Sequence, residues 1–320
     1  MRVFTFPGQG TPINLNVFQS YLSQTAPVFL KVFHDPKHRD LVRFIDANPA
    51  NPGSISAVSN MLYRLYQLKH PGIQQQQEQQ ILLGHSLGEL SCLSAGNSLF
   101  SLQDTFDIAN YRNKLMVEAT KNYLQRNRLN DSFQMWAVSS PSSKSLRQEL
   151  DALLPSFPQD VAIANDNSEK QCVLTGLQHS LEILRPELQT RFRRVKVKKL
   201  TNPESIPFHN NAVLRPIQEP LYDYLSEKVK ERGMHTTQLL DHAIVTNLKG
   251  ELTDKIDVAL ENFVKCSSNT VEFVSCCETL KKNGVTHAIN IGPGTVLSGL
   301  LRRNYGEISQ IDYDEVDKII

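Results

Sequence analysis

The sequence predicts an α/β fold in which an α/β parallel-sheet domain carries a small inserted domain. Strand-like runs alternate with helical stretches at both ends of the chain, the order expected of a parallel sheet covered on both faces. A middle segment, roughly 131–200, reads strand, helix, strand, strand, helix, strand, the order of a ferredoxin-like split βαβ unit. With 320 residues, 40% hydrophobic and 21% charged, the chain can bury a sizeable core.

Each element has a local reason. "RVFTF" (Arg2 to Phe6) is β-branched and aromatic and stops at Pro7, Gly8 and Gly10, so a buried strand should run into a tight loop. Val17 to Phe33 has helical spacing, "NPANPGS" (Asn48 to Ser54) breaks the chain, and Ile55 to Leu68 places Met61, Leu62, Leu65 and Leu68 on one helix face. The polar stretch from Gln74 to Gln80 lacks the apolar content to pack and is expected to be a mobile surface loop. A helix then runs from Gly88 to a stop at Gly96, and another from about Leu102 to Tyr123. In the middle segment "FQMWAVSS", "VAIANDN", "KQCVLTG" and "RRVKVKKL" read as strands, with helices around Ser145–Leu154 and Leu181–Phe192. Beyond it come helices around Val213–Lys230, Asp257–Phe263 and Val271–Asn283, and strands at "AIVTN" and "HAINIGPG". The expected division is therefore 1–130 with 201–320 as the large domain and 131–200 as the small one.

Charge and cysteine usage narrow the function. A net charge of +1 gives no global basic field, so neither nucleic acid nor an anionic membrane is an expected partner. The five cysteines (Cys92, Cys172, Cys266, Cys276, Cys277) form no C-x-x-C pair and are odd in number, which points to a reducing compartment and no structural zinc. No uninterrupted apolar run reaches about 18 residues, the length of a membrane span. "MRVFTFPGQG" reads as a strand and loop rather than a signal peptide. The lack of acidic residues before Asp35 suits a mitochondrial targeting segment, but no Arg-rich amphipathic helix accompanies it.

The chemistry centres on "ILLGHSLGELSCLSAG" (Ile81 to Gly96). Ser86 stands between Gly84 and Gly88 at the junction of an apolar run and a helix, the pattern of a nucleophile elbow. A serine helix cap flanked by chance glycines is the alternative. A serine nucleophile needs a base, and nine histidines are available. His34 and His38 straddle Pro36 and make a poor metal pair; His70, His179, His235, His242 and His287 fall in loops or at element ends; His85 sits inside the elbow. His209, in "NPESIPFHNN", stands out because two prolines stiffen its approach, although an ordinary loop histidine fits the same pattern.

"FPGQG", "GHSLGEL", "YRNKLM", "PFHN" and "IGPGTVLSGL" occur in the order and spacing found in malonyl-CoA:acyl carrier protein transacylases, which the chain resembles over nearly its whole length. "LTNPESIPFHN" and "VLRPIQEPLYDY" resemble the mitochondrial branch of that family in budding yeasts. The resemblance implies an α/β-hydrolase-like large domain with a ferredoxin-like insertion, no cofactor, no metal, a monomer, and a mitochondrial setting. It implies that Ser86 carries malonyl as an ester, that His209 is its base, and that the main-chain N–H groups of Gln9 and Leu87 form the oxyanion hole. Arg112 would clamp the malonyl carboxylate in a bidentate fork that acetyl cannot use. Phe208, with Leu87, resembles the pair that excludes methylmalonyl, Asn165 matches a pocket-lining position, and the Cys266 carbonyl aligns with the group that orients the histidine. Relatives in bacteria often have serine where Asn210 stands and glutamine where Cys266 stands. The implied partners are malonyl-CoA and holo-acyl carrier protein, in type II fatty acid synthesis. Arg191, Arg193, Arg194, Lys196 and Lys198 form the densest basic run for an acidic carrier, while the alternation with Val195 and Val197 equally suits an edge strand with a solvated face. A serine hydrolase such as a thioesterase would share the elbow.

Overall fold

The computed structural model describes residues 1–71 and 80–313. Most of the loop expected at 74–80 lies outside the described residues; Gln80 itself opens a strand. Eleven strands are described: β1 (Arg2–Phe6), β2 (Gln80–Gly84), β3 (Phe133–Ser139), β4 (Ala162–Ser168), β5 (Gln171–Leu177), β6 (Lys196–Lys199), β7 (Leu239–Val245), β8 (Leu252–Lys255), β9 (Val271–Glu272), β10 (His287–Ile291) and β11 (Ser309–Tyr313).

They form two sheets, of order β11-β10-β1-β2-β7-β8 and β6-β3-β5-β4-β9. In the first, every pair from β11 to β7 is parallel and β8 pairs antiparallel with β7. The sheet is thus mixed and departs from an all-parallel one only at that edge, where the connection from Val245 to Leu252 is too short for a crossover. Alternation along its strands explains the layers. Phe4, Phe6, Leu82, Ile244 and Ile289 belong to a core shared with helices Pro52–Lys69, Leu102–Arg126 and Ile256–Cys266. Val3, Ile81, Leu83, Val245 and Ala288 point to the other face, against Cys276 and Leu280 of helix Phe273–Lys282 and Leu297 and Leu301 of helix Val296–Asn304. Each buried Val, Leu, Ile or Phe among them contributes roughly 1.5–3 kcal/mol of transfer free energy.

The second sheet is antiparallel except where β9 joins β4. Trp136, Val138, Leu174 and Ile163 pack against Leu146 and Leu150 of helix Leu146–Leu153 and Leu181, Leu184 and Leu188 of helix Gln178–Arg191. Its other face presents Met135, Ala164 and Val173, and Phe208 packs there.

Several expected elements are corrected. Val17–Phe33 is two helices, Leu15–Leu22 and Pro27–Phe33, because Pro27 starts a new first turn. Val213–Lys230 is interrupted at Arg215–Ile217, a 3₁₀ turn at Pro216, before helix Gln218–Glu231. Val271 and Glu272 are strand, not helix. His242 lies inside β7, not at an element end. All five cysteines are buried free thiols. Among the described residues no helix is long and apolar enough to cross a membrane, and no cluster of three or more His, Cys, Asp or Glu is placed to hold a metal.

Candidate active site

β2 ends at Gly84 and helix Gly88–Ser91 begins four residues later, so the chain reverses over His85, Ser86 and Leu87. Ser86 takes a left-handed conformation, φ 52°, which costs a non-glycine residue about 1–3 kcal/mol. Both flanking glycines are required by contact. A Cβ on Gly84 would stand 2.0 Å from the Gly88 carbonyl carbon, and one on Gly88 would stand 2.1 Å from the Phe6 oxygen. The loop after β1 is pressed onto the same turn, with a Gly8 Cβ falling 2.6 Å from the His85 oxygen. His85 is turned away, its Nε2 3.1 Å from Asn167 Oδ1.

His209 arrives from the loop that follows β6, also with a positive φ of 62°. Its Nε2 lies 2.8 Å from Ser86 Oγ across 123 residues of sequence, and both side chains are buried. Its Nδ1 faces two carbonyl oxygens, Cys266 at 2.7 Å and Asn269 at 3.0 Å. Carbonyls only accept, so Nδ1 carries the proton and Nε2 accepts from Ser86 Oγ–H. Burial, and then the nearby Arg112 cation, push the imidazole pKa down to about 3, so the ring is neutral at neutral pH.

Arg112 projects from the middle of helix Leu102–Arg126, whose start is fixed by a capping box of Ser101 and Asp104. Its guanidinium is buried; Nε donates to Ser267 Oγ at 2.9 Å, and the group lies 5.7 Å from the Phe263 ring centre. Burial lowers its pKa to about 10, which leaves it charged. Gln9 Nε2 donates to Asn113 Oδ1 at 3.0 Å, one residue along that helix, and Asn113 Nδ2 donates to Glu204 Oε2 at 2.8 Å. Leu87 is buried at the first turn after the elbow, next to Gly88 and Glu89, whose N–H groups donate to the His85 and Ser86 oxygens at 2.9 and 3.1 Å. Asn165 is buried on β4, and Asn210 caps the turn after His209 while its Nδ2 donates to the Asp160 oxygen at 2.7 Å.

Sequence reasoning missed three groups here. Asn269 supplies the second carbonyl to His209. Asn247, two residues beyond β7, accepts from Ser86 N–H at 2.6 Å and donates to the Gly84 oxygen at 2.7 Å. Glu89 is buried, accepts from Asn247 N–H at 2.9 Å through Oε1, and has its pKa pushed up to about 8, chiefly by burial. The Asn in "AIVTN" and the Glu in "GHSLGEL" were in view, but neither pattern says which partner it meets in three dimensions.

A serine held at a strand-to-helix elbow, hydrogen-bonded to a neutral imidazole and accompanied by a buried guanidinium, defines a class: α/β enzymes equipped for acyl chemistry through serine. No family model matches the chain. It is 44% identical to the mitochondrial malonyl CoA-acyl carrier protein transacylase of Saccharomyces cerevisiae, over 100% of this chain and 97% of the relative. Its fold is similar to that of a Helicobacter pylori malonyl-CoA:acyl carrier protein transacylase, with a TM-score of 0.79 at 21% identity, covering 100% of this chain and 96% of that one. It is also similar in fold to a structure described as a type II PKS acyl-carrier protein in complex with its malonyl-transacylase, with a TM-score of 0.75 at 20% identity and coverage of 99% and 97%. The chain belongs to the malonyl-CoA–acyl carrier protein transacylase family.

Proposed function

We propose that this protein transfers malonyl from malonyl-CoA to the phosphopantetheine thiol of holo-acyl carrier protein, supplying type II fatty acid synthesis. The observation that carries the reading is the 2.8 Å contact of Ser86 Oγ with a neutral His209 in a site that also holds the buried Arg112 cation. In the first half-reaction Ser86 Oγ attacks the thioester carbonyl as its proton passes to His209 Nε2. The imidazolium returns that proton to the departing CoA sulfur, leaving a malonyl ester on Ser86. The carrier thiol then gives its proton to His209, attacks the ester and restores the serine hydroxyl. The Cys266 and Asn269 carbonyls hold Nδ1–H throughout and stabilise the imidazolium without burying a second negative charge.

The main-chain N–H groups of Gln9 and Leu87 serve the oxyanion, each worth roughly a hundred- to thousand-fold in rate. With Nε committed to Ser267, the Nη groups of Arg112 face the malonyl carboxylate. Phe208 and Asn165 line the acyl pocket, Phe208 opposing a methylmalonyl branch. Intact-mass measurement after mixing with malonyl-CoA tests the assignment: a malonyl adduct is expected, lost in Ser86→Ala. No adduct, or one that survives that substitution, overturns it. Release of malonate that is independent of a thiol acceptor would make the protein a hydrolase instead.

The strand order β6-β3-β5-β4 and the antiparallel pairing support describing the insertion as ferredoxin-like, beside an α/β-hydrolase-like body built from 1–130 and 201–320. β9 from that body completes the smaller sheet. The protein acts in mitochondria, as the name of its yeast relative supports, and works as a monomer. The acidic carrier docks on Arg191, Arg193, Arg194, Lys196 and Lys198, all exposed along or just before edge strand β6. Charge reversal there should slow transfer to the carrier at low salt and leave acylation by malonyl-CoA alone intact.

A further inference from the structure

We propose that Asn247, held by Glu89, is the positioning residue that fixes the Ser86 elbow in its reactive conformation. The inference rests on the serine acyl-transfer reading above. A left-handed serine persists only where its surroundings over-determine it. The Asn247 amide grips the turn on both sides of His85: Oδ1 takes the Ser86 N–H at 2.6 Å and Nδ2 gives to the Gly84 oxygen at 2.7 Å. One planar group thereby sets the spacing between the last strand residue and the nucleophile. Its main chain is anchored in turn, since Asn247 N–H donates to Glu89 Oε1 at 2.9 Å, and Glu89 stands three residues beyond Ser86 on the helix that the elbow starts.

The loop closes on itself: elbow to Asn247, Asn247 to Glu89, Glu89 to the helix carrying Leu87 N–H at its start. Asn247 and Glu89 are both buried, so water does not replace either bond. Glu89 Oε2 has no hydrogen-bond partner among the described residues, and Gln at this position keeps the Oε1 acceptor. Arg112 makes its hydrogen bond elsewhere, to Ser267, and touches the unit only through the charge interaction of its guanidinium with Glu89, which Asn247 variants leave in place. Loosening the elbow should therefore impair the chemical step and spare capture of the malonyl carboxylate.

The test is rapid-quench measurement of malonyl-serine formation, normalised to folded protein, on the full chain and five variants. Wild type must form the adduct; if it does not, the acyl-transfer reading fails and not this one. Asn247→Ala and Asn247→Leu should slow acylation about a hundred-fold with the KM for malonyl-CoA within about two-fold. The leucine is close to the amide in size and removes both of its hydrogen bonds, so it separates their loss from the loss of packing. Glu89→Ala should reproduce the loss, Glu89→Gln should recover most of it, and Glu89→Ala with Asn247→Ala should be no slower than the worse single variant. Wild-type acylation rates in Asn247→Leu, a loss carried by KM alone, or equal losses in Glu89→Gln and Glu89→Ala would overturn the proposal.

Discussion

Arg112 keeps its charge with 1% of its surface exposed, beside Ser267, the Phe263 ring and the Glu89 carboxyl, and on the proposed function it also meets the malonyl carboxylate. Losing a guanidinium opposite a buried carboxylate costs roughly 2–5 kcal/mol. Arg112→Ala should lower kcat/KM for malonyl-CoA by about a hundred- to thousand-fold and that for acetyl-CoA far less; equal losses would remove the carboxylate from its role. The same substitution reaches His209. Arg112 is the second cause, after burial, of the depressed imidazole pKa, so deleting the cation must raise it. Titration of His209 by NMR in the two proteins reads this directly, and an unchanged or lower value in Arg112→Ala would contradict it. In the wild type a pKa of about 3 also means that the free base stays deprotonated between pH 5 and 7. The profile of kcat/KM should show no acid limb from His209 in that window. At this scale the sequence made Ser86 legible through its glycines, whereas His209 needed family resemblance, because nothing local distinguishes its loop from that of any other histidine. Asn247 and Glu89 were illegible for a sharper reason: their bonds span 158 to 163 residues, and pattern reading sees only neighbours.

Among the elements, the elbow is the one most narrowly specified by its residues. Its two glycines answer to backbone, not to flexible side chains, so a methyl group at position 88 cannot be absorbed by a rotamer change. Gly88→Ala should cost about 3 kcal/mol, which for a chain of 320 residues is a fall in Tm of roughly 4–5 °C. A melt within 1–2 °C of wild type would mean that the Phe6 carbonyl can move aside. The same turn is where the helix–strand alternation was easiest to read, since glycines and apolar runs punctuate it. Elements with weak local signals were lost. β8 is "LTDK", mostly exposed and polar, and β11 is "SQIDY"; each becomes a strand because a neighbouring edge offers hydrogen bonds, not because of its own periodicity. Pro216 interrupts what the apolar spacing alone extends through Val213–Lys230 as one helix.

Across the whole molecule, the site depends on how the two sheets are tied. β9 belongs by sequence to the body and by hydrogen bonding to the smaller sheet, and it follows directly on Cys266–Asn269, whose carbonyls hold His209. Two residues are too few to show a period, so no sequence pattern could have announced this seam. Thr270 Oγ1 donates to the Ile163 oxygen at 2.7 Å, and Asn304 Nδ2 to the Asn167 oxygen at 2.8 Å. The charged part of the seam is Arg147, paired with Glu272 of β9 at 3.0 Å and with Asp151 at 2.8 Å. Beside them Asp166 has its pKa raised to about 6, first by burial and against the pull of Arg147. A carboxyl raised in the folded state binds its proton more tightly there than in the unfolded chain. Its contribution to stability is therefore present at low pH and is lost as pH rises towards and through 6. Removing Arg147 should deepen that loss, because Asp166 then ionises beside the carboxyls of Glu272 and Asp151 without a cation to offset it. Arg147→Ala is expected to lower Tm by roughly 1–3 °C at pH 7, from a half-buried pair worth about 1–2 kcal/mol, and by clearly less at pH 4.5. Thermal melts at the two pH values decide it. An equal drop at both would mean that Arg147 acts through packing against its neighbours, and that charge at the seam does not hold the histidine's support in place.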